Sequence, residues 1–173
     1  MLVKSLKDLA KTKSIDKITI KEITDNCGLS KRTFYQYFQD KSELILYEYS
    51  KNLSKVFCEQ NKNLTWVELM RRAIMEIVND YDYYKNAFSS FDYSTNTIHN
   101  LKLSTTNVFE DFIKLKFNIK ELTEEARVAI KLYTFGNWAF GIKWTKNGMP
   151  ISVEKLAKYY VSSMPIVLKK YID

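Results

Sequence analysis

The chain has 173 residues, 46% hydrophobic and 27% charged, an ordinary balance for a globular protein able to bury its own core. With 4 Gly and 2 Pro it has little punctuation for many short strands, and its 2 Cys, at positions 27 and 58, exclude a disulfide scaffold and stand at no metal-ligand spacing. The net charge of +7 suits a polyanionic partner, but residues 1–50 hold 9 basic against 7 acidic side chains, so charge alone does not locate a binding face.

Taken in chain order, Leu2, Leu6, Leu9 and Ala10 form a helical stripe whose lysines leave no continuous apolar signal core, and SIDKIT then interrupts it. Thr19 and Glu22 make the T-x-x-E capping box, so a second helix should begin at Ile20, with Ile20, Ile23 and Cys27 facing inward. Gly28 ends it. Ser30 caps a third helix over Lys31–Phe38, and Asp40 with Glu43 opens a fourth running to about Gln60. Thr65 and Glu68 start a helix through Val78, after which the tyrosine-rich stretch from Asp80 to Thr97 is poorly periodic. Helical patterns return over residues 98–117 and 123–147, the second stopped by Gly148 with Pro150 beyond it. Ser152 caps the last helix, which Pro165 should kink or end.

No strand, repeat or low-complexity tract stands out. The expected fold is all-α: an N-terminal three-helix helix-turn-helix domain over residues 1–48 and a helical bundle over 49–173 that dimerises and binds an effector or partner. No stretch approaches the roughly 18 apolar residues of a membrane span, so a cytoplasmic protein without a membrane partner is expected.

The run CGLSKRTFYQYF, Cys27–Phe38, carries the functional signal. Its glycine permits a tight turn between the second and third helices, and Leu29 can plug the core between them. On a helical wheel Phe34 and Phe38 share one face, while Arg32, Thr33 and Gln36 lie opposite, with Tyr37 beside them and Tyr35 at the flank. That polar face has the chemistry of a DNA major-groove reader. Arg32 can donate twice to a guanine edge and Gln36 can pair with adenine. Ser30, Thr33 and the tyrosine hydroxyls can reach phosphate oxygens, which fix register without reading sequence. Lys41 opens the fourth helix, where its ammonium and the helix N-terminal amides would favour a phosphate.

The segment ITIKEITDNCGLSKRTFYQYFQDKSEL resembles the DNA-binding region of TetR-type bacterial transcriptional regulators. The matching positions are Thr19, Ile23, Gly28-Leu29-Ser30, Thr33-Phe34-Tyr35, Tyr37-Phe38, Lys41 and Leu44. Family members often carry His where this chain has Tyr37, whose hydroxyl can still bond a phosphate. The short segment ahead of the first helix argues against extra minor-groove contacts. The resemblance implies a DNA-contacting set of Thr19, Ser30, Lys31, Arg32, Thr33, Tyr35, Gln36, Tyr37 and Lys41. A second stretch, FGNWAFGIKWTKNGMPISVEKLAKYY, is similar to the C-terminal region of a TetR subgroup typical of low-GC Gram-positive bacteria.

TetR-type proteins are homodimers, which implies that the last two helices pair with their copies. Gly136 and Gly141 would allow close approach, and Trp138, Phe140, Trp144, Tyr160, Val161 and Met164 offer apolar area. Monomer core is the other reading of each. A dimer also presents two recognition helices to half-sites about 34–36 Å apart. The resemblance further implies an effector pocket. Its candidates are Trp66, Tyr81, Tyr83, Tyr84, Phe88, Phe91, Tyr93, Phe109 and Phe112, all equally open to a core role. Arg71 and Arg72 could meet an anionic effector or remain a solvated pair.

His99, the sole histidine, has no partner at ligand spacing, so neither metal nor cofactor is expected. No catalytic residue is identified, because no nucleophile motif, phosphate loop or framed carboxylate pair is present. The expected function is therefore DNA-binding transcription regulation at a palindromic operator, by default repression released by a small-molecule effector. The alternative is a regulator or activator controlled by a protein partner on the C-terminal domain.

Overall fold

A computed structural model describes residues 1–90 and 96–171, with the backbone alone over 96–102. In order, the helices are α1 (Leu2–Ala10), α2 (Ile20–Asp25), α3 (Lys31–Tyr37), α4 (Lys41–Val56), α5 (Trp66–Asn79), α6 (Tyr81–Ser90), α7 (Asn96–Phe117), α8 (Glu124–Lys146) and α9 (Val153–Ser162). Short 3-10 turns cover Ile15–Lys17, Glu59–Asn61 and Ile166–Tyr171. No strand occurs among the described residues.

The capping signals act as the sequence implies. Thr19 and Thr65 each form a full capping box with the glutamate three residues on, and Asp40, Thr123 and Ser152 accept from the backbone amide three residues ahead. Two expectations need correction. α4 stops at Val56, short of Gln60, because Phe57 leaves helical geometry to stack on Phe109 and Phe112, at 5.8 and 5.3 Å between ring centres. The Asn61 carboxamide then donates to the Lys55 and Val56 carbonyls at 3.2 and 2.9 Å, satisfying the helix end. The tyrosine-rich stretch is also more ordered than its pattern suggests. Tyr81–Ser90 is helix α6, with Tyr83, Tyr84, Ala87 and Phe88 buried, and α7 already begins at Asn96.

Two apolar clusters form. One gathers α5, α7, α8 and α9 around Leu69, Phe112, Ile130, Ala157 and Leu168. The other contains Leu6, Ile15, Ile18, Ile23, Phe34 and Leu44 of the first four helices, together with Tyr83, Tyr84 and Phe88 of α6 and Trp138 and Ile142 of α8. The N-terminal helices therefore do not seal a core alone. Helix α4 runs unbroken across position 48 and joins head to body.

Candidate nucleic-acid interface and the cavity behind it

Helix α2 ends in a turn that only glycine makes easily. Gly28 sits at φ +69°, and the Leu29 amide reaches back to the Thr24 carbonyl at 2.9 Å. A Cβ at Gly28 would meet nothing within 4 Å, so the requirement is conformational and not spatial. Beyond the turn, Ser30 caps α3 by accepting from the Thr33 amide at 3.1 Å, and its hydroxyl pairs with that of Thr33 at 2.9 Å.

Phe34 is fully buried and anchors α3 against α2, with the half-buried Phe38 ring 5.8 Å away. Phe38 itself lies just past the helix, in extended geometry. The opposite face is open: Lys31, Arg32, Tyr35, Gln36 and Tyr37 are all exposed. Neither Lys31 nor Arg32 makes an ion pair among the described residues. By contrast, Lys13 and Lys21 nearby are held by Glu22 and Asp25 at 2.5 and 2.6 Å. The two cations next to the turn are thus the ones available to a phosphate or base edge.

Two members of the expected contact set are committed elsewhere. The Thr19 hydroxyl donates to Glu22 at 2.9 Å and accepts from the Glu22 amide, which leaves it no proton for a phosphate oxygen. Lys13 foremost, then Thr19, hold the Glu22 carboxyl down at about 2. Lys41 aims all three ammonium protons at backbone carbonyls, those of Ile15, Asp16 and Ile18, at 2.6, 2.8 and 2.7 Å. The start of α4 does not await an anion either: Asp40 accepts from the Glu43 amide and Glu43 from the Gln39 amide, at 2.8 and 2.6 Å. Lys41 is a clamp on the turn before α2.

The head is tied to the body by polar contacts. Lys7 of α1 pairs with Glu48 of α4 and with Asp80 at 2.6 Å, and Glu48 also accepts from Asn52 and Tyr84 at 3.2 and 3.3 Å. Only 5% of Glu48 is exposed. Burial alone would lower the Lys7 pKa, but the bonds from Asp80 and Glu48 outweigh it and raise it. From α6, Asn86 accepts from the Ile15 amide at 3.0 Å and donates to the Ala10 and Lys13 carbonyls at 3.1 and 3.0 Å. The turn at Ile15–Lys17 is thus gripped by Asn86 on one side and Lys41 on the other.

Behind this junction lies an apolar cavity of about 90 Å³ walled by α4, α5, α6, α7, α8 and α9. Of the expected pocket residues, Phe88 and Phe109 line it. Trp66, Tyr84 and Phe112 are buried in the core away from its wall, with Trp66 donating its indole proton to the Tyr171 carbonyl at 2.6 Å. Tyr83 is buried beside the Lys7 ammonium, and Tyr81 is half-buried at the start of α6. Phe91 and Tyr93 lie outside the described residues, as does the His99 side chain. The wall also includes Tyr49, Tyr133 and Asn137, which the sequence pattern did not single out, and Tyr160, which was expected at the dimer interface.

The expected interface residues separate in the same way. Trp144 and Met164 are buried in the chain's own core, with the Trp144 indole donating to the Ile151 carbonyl at 3.0 Å. Tyr160 and Gly141 approach each other within one chain: a Cβ at Gly141 would stand 3.2 Å from the Tyr160 hydroxyl. Gly136 and Phe140 remain outside, on an α8 face with Val128 and Leu132, the latter 70% exposed. Tyr159 of α9 and Ile166 beyond its end add exposed apolar surface.

Among the described residues no cluster of His, Cys, Asp and Glu could hold a metal, and no helix is long and apolar enough to cross a membrane. Residues 2–47 match the family of bacterial regulatory proteins described as the tetR family, roughly a quarter of the chain. No curated protein matches the sequence.

Among solved structures, the fold is similar to the dihydroxyacetone kinase operon activator DhaS, with TM-score 0.66, 16% identity, and 99% of this chain and 96% of that one covered. A TetR transcriptional regulator from Rhodococcus sp. RHA1 aligns with TM-score 0.67 and 16% identity over 98% and 95% of the two chains. A tetR-family regulator from Streptomyces coelicolor aligns with TM-score 0.66 and 18% identity over 98% and 79%. Residues 2–47 thus carry the N-terminal domain of that family, and the whole chain has the all-helical fold of such regulators.

Proposed function

We propose that the protein is a homodimeric, cytoplasmic transcription regulator that binds a palindromic DNA operator through residues 1–48 and answers to a small molecule held in the C-terminal region, residues 49–173. The observation that carries this reading is the two-sided α3. Phe34 fixes the helix to the head while Lys31, Arg32, Tyr35, Gln36 and Tyr37 stand free on its outer face. Arg32 and Gln36 would read base edges, and Lys31, Tyr35 and Tyr37 would set register on phosphates, with Ser30 and Thr33 at the turn.

The second copy would sit on the exposed α8 face of Val128, Leu132, Gly136 and Phe140, placing two recognition helices on half-sites about 34–36 Å apart. The apolar cavity supports an effector, and repression relieved by that effector is the default mechanism. A second reading is a regulator or activator controlled by a protein partner on the C-terminal region; one structure of similar fold is named an operon activator. The resemblance of the C-terminal stretch to the low-GC Gram-positive subgroup belongs to this reading as well.

The test is fluorescence anisotropy of the full chain against the DNA upstream of its own gene, at two salt concentrations, with unrelated DNA as control. Selective binding that weakens as salt rises is expected. Equal affinity for the control DNA across a genomic library of fragments would remove sequence-specific regulation.

A further inference from the structure

We propose that the cavity takes a small uncharged molecule with an apolar body about the size of one ring and a single hydroxyl that it donates to the wall. This rests on the reading of the chain as an effector-controlled regulator and names the chemistry of the effector.

The charge of the ligand follows from what the wall lacks. No acidic or basic side chain lines the cavity among the described residues. The ionisable groups there are phenols, and burial moves them further from ionisation: Tyr49 and Tyr133 are pushed up to about 12, and Tyr160 is raised too. A carboxylate or ammonium brought inside would lose its hydration without gaining a counter-charge.

The hydrogen-bonding sense follows from protons already committed. Tyr133 donates to the Tyr160 carbonyl at 2.6 Å, Tyr160 to the Asn137 carbonyl at 3.2 Å, and Thr134 to the Ile130 carbonyl at 2.8 Å. The Thr134 hydroxyl is also paired with that of Thr106 at 2.9 Å and the Tyr133 hydroxyl with the Asn137 side chain, so it is the Tyr160 oxygen that is left to accept a proton from a ligand. Apart from Tyr49, Thr105 and Asn137, the remaining surface is apolar, mostly Phe, Leu, Ile, Met and Trp, which sets the apolar body.

Size is bounded by the volume. At about 90 Å³ the space is smaller than the roughly 150 Å³ cavity that admits benzene in an engineered core, so one ring already requires the wall to give slightly. Tyr49 and Leu53 of α4 and Phe88 of α6 are among the residues that would give, which places the ligand against the two helices that tie to the head.

The experiment uses the full-length chain without DNA, by calorimetric titration and thermal denaturation with four probes of similar size: p-cresol, toluene, benzoate and benzylamine. The two neutral probes should bind and raise Tm, p-cresol about fivefold more tightly than toluene, as one net hydrogen bond implies. The charged probes should give no shift. Ala73→Phe, which fills the space from α5, should abolish binding of both neutral probes. Tyr160→Phe should bring p-cresol down to the affinity of toluene while leaving toluene unchanged, and it holds the proposal to account even if Ala73→Phe fails to fold.

Absence of any neutral-probe shift, or charged probes binding as well as neutral ones, overturns the proposal. DNA binding is read separately by anisotropy. A chain that selects its operator yet ignores the neutral probes loses the ligand class and keeps the regulator reading. A chain that binds p-cresol but no DNA does the reverse.

Discussion

Replacing Lys41 by Met separates two roles that the sequence runs together. As a phosphate ligand, Lys41 would contribute to DNA affinity and little to folding. As a clamp, its ammonium satisfies three carbonyls of the Ile15–Ile18 turn. The Asp16 carbonyl is at the surface, where water can replace the ammonium, but those of Ile15 and Ile18 are partly buried. At about 1 kcal/mol net for each of these two, Lys41→Met should cost about 2 kcal/mol. For a chain of this size that corresponds to a fall in Tm of about 4–8 °C.

The methionine keeps the apolar stem, so the helix start should be preserved. Thermal and urea denaturation give the stability change. Operator affinity of the folded variant, measured against salt at 25 °C, gives the other coordinate. The clamp predicts reduced stability with an unchanged slope of log affinity against log salt. A slope smaller by about 0.9 with Tm unaltered would show that one phosphate contact was lost and would refute the argument. Lys41→Arg should recover part of the stability only, because a planar fork cannot converge on three carbonyls as an ammonium does.

Arg32→Ala should weaken operator binding by about 1–3 kcal/mol and relax preference at one base position, read by anisotropy on a panel of single-base operator variants. Leu132→Asp should leave Tm of the single chain nearly unchanged, since the side chain is already exposed. It should weaken self-association roughly a hundredfold in sedimentation equilibrium, because a symmetric contact repeats each lesion. Glu22 has a folded pKa near 2 against an ordinary 4.5, so the stability it contributes is present above about pH 4.5 and is lost as pH falls towards 2. Acid titration followed by circular dichroism should therefore show a shallower loss for Glu22→Gln than for the native chain over that interval. Asn86→Ala removes three hydrogen bonds between α6 and the head and should cost about 2 kcal/mol in urea denaturation.

The N-terminal module was legible because its signals are local. Thr19 with Glu22, Gly28, and Ser30 specify caps and a turn from residues three or four apart, and the Phe34 side of α3 declares itself by spacing. The clamp made by Lys41 has no local signal, because its three acceptors lie more than twenty residues away in sequence and a lysine at a helix start looks the same whichever way it turns. Helix α6 was obscured for a related reason. It is buried on one side by α8 and touched on another by α1 and the Ile15–Lys17 turn, so Tyr81, Asn86 and the core aromatics blur a single stripe.

The pocket aromatics fared as long-range geometry dictates. Nothing local distinguishes Phe109, on the cavity wall, from Phe112, packed one turn on and away from it. One missed signal was present: Leu44, Glu48 and Asn52 recur every four residues on one face of α4, and a polar pair in line with a core leucine marks a buried network.

That network bears on how strongly a ligand could act. A ligand shifts DNA binding only by the difference between its affinities for two arrangements of the chain. Helices α4 and α6 both line the cavity and both reach the head, through the Glu48–Lys7 pair and through Asn86. An empty space of about 90 Å³ costs the present arrangement about 2 kcal/mol at the usual price per unit volume, and a ligand that fills it recovers at most about that much from the void itself. Per protomer this is a bias of roughly thirtyfold, and for two sites in a dimer roughly a thousandfold. Both fall short of the ten-thousandfold preference needed to carry one site from 1% to 99% occupancy of a state. Cavity filling alone therefore gives a graded response, and a sharp one would require ligand contacts with the wall, such as the Tyr160 oxygen, that differ between the two arrangements.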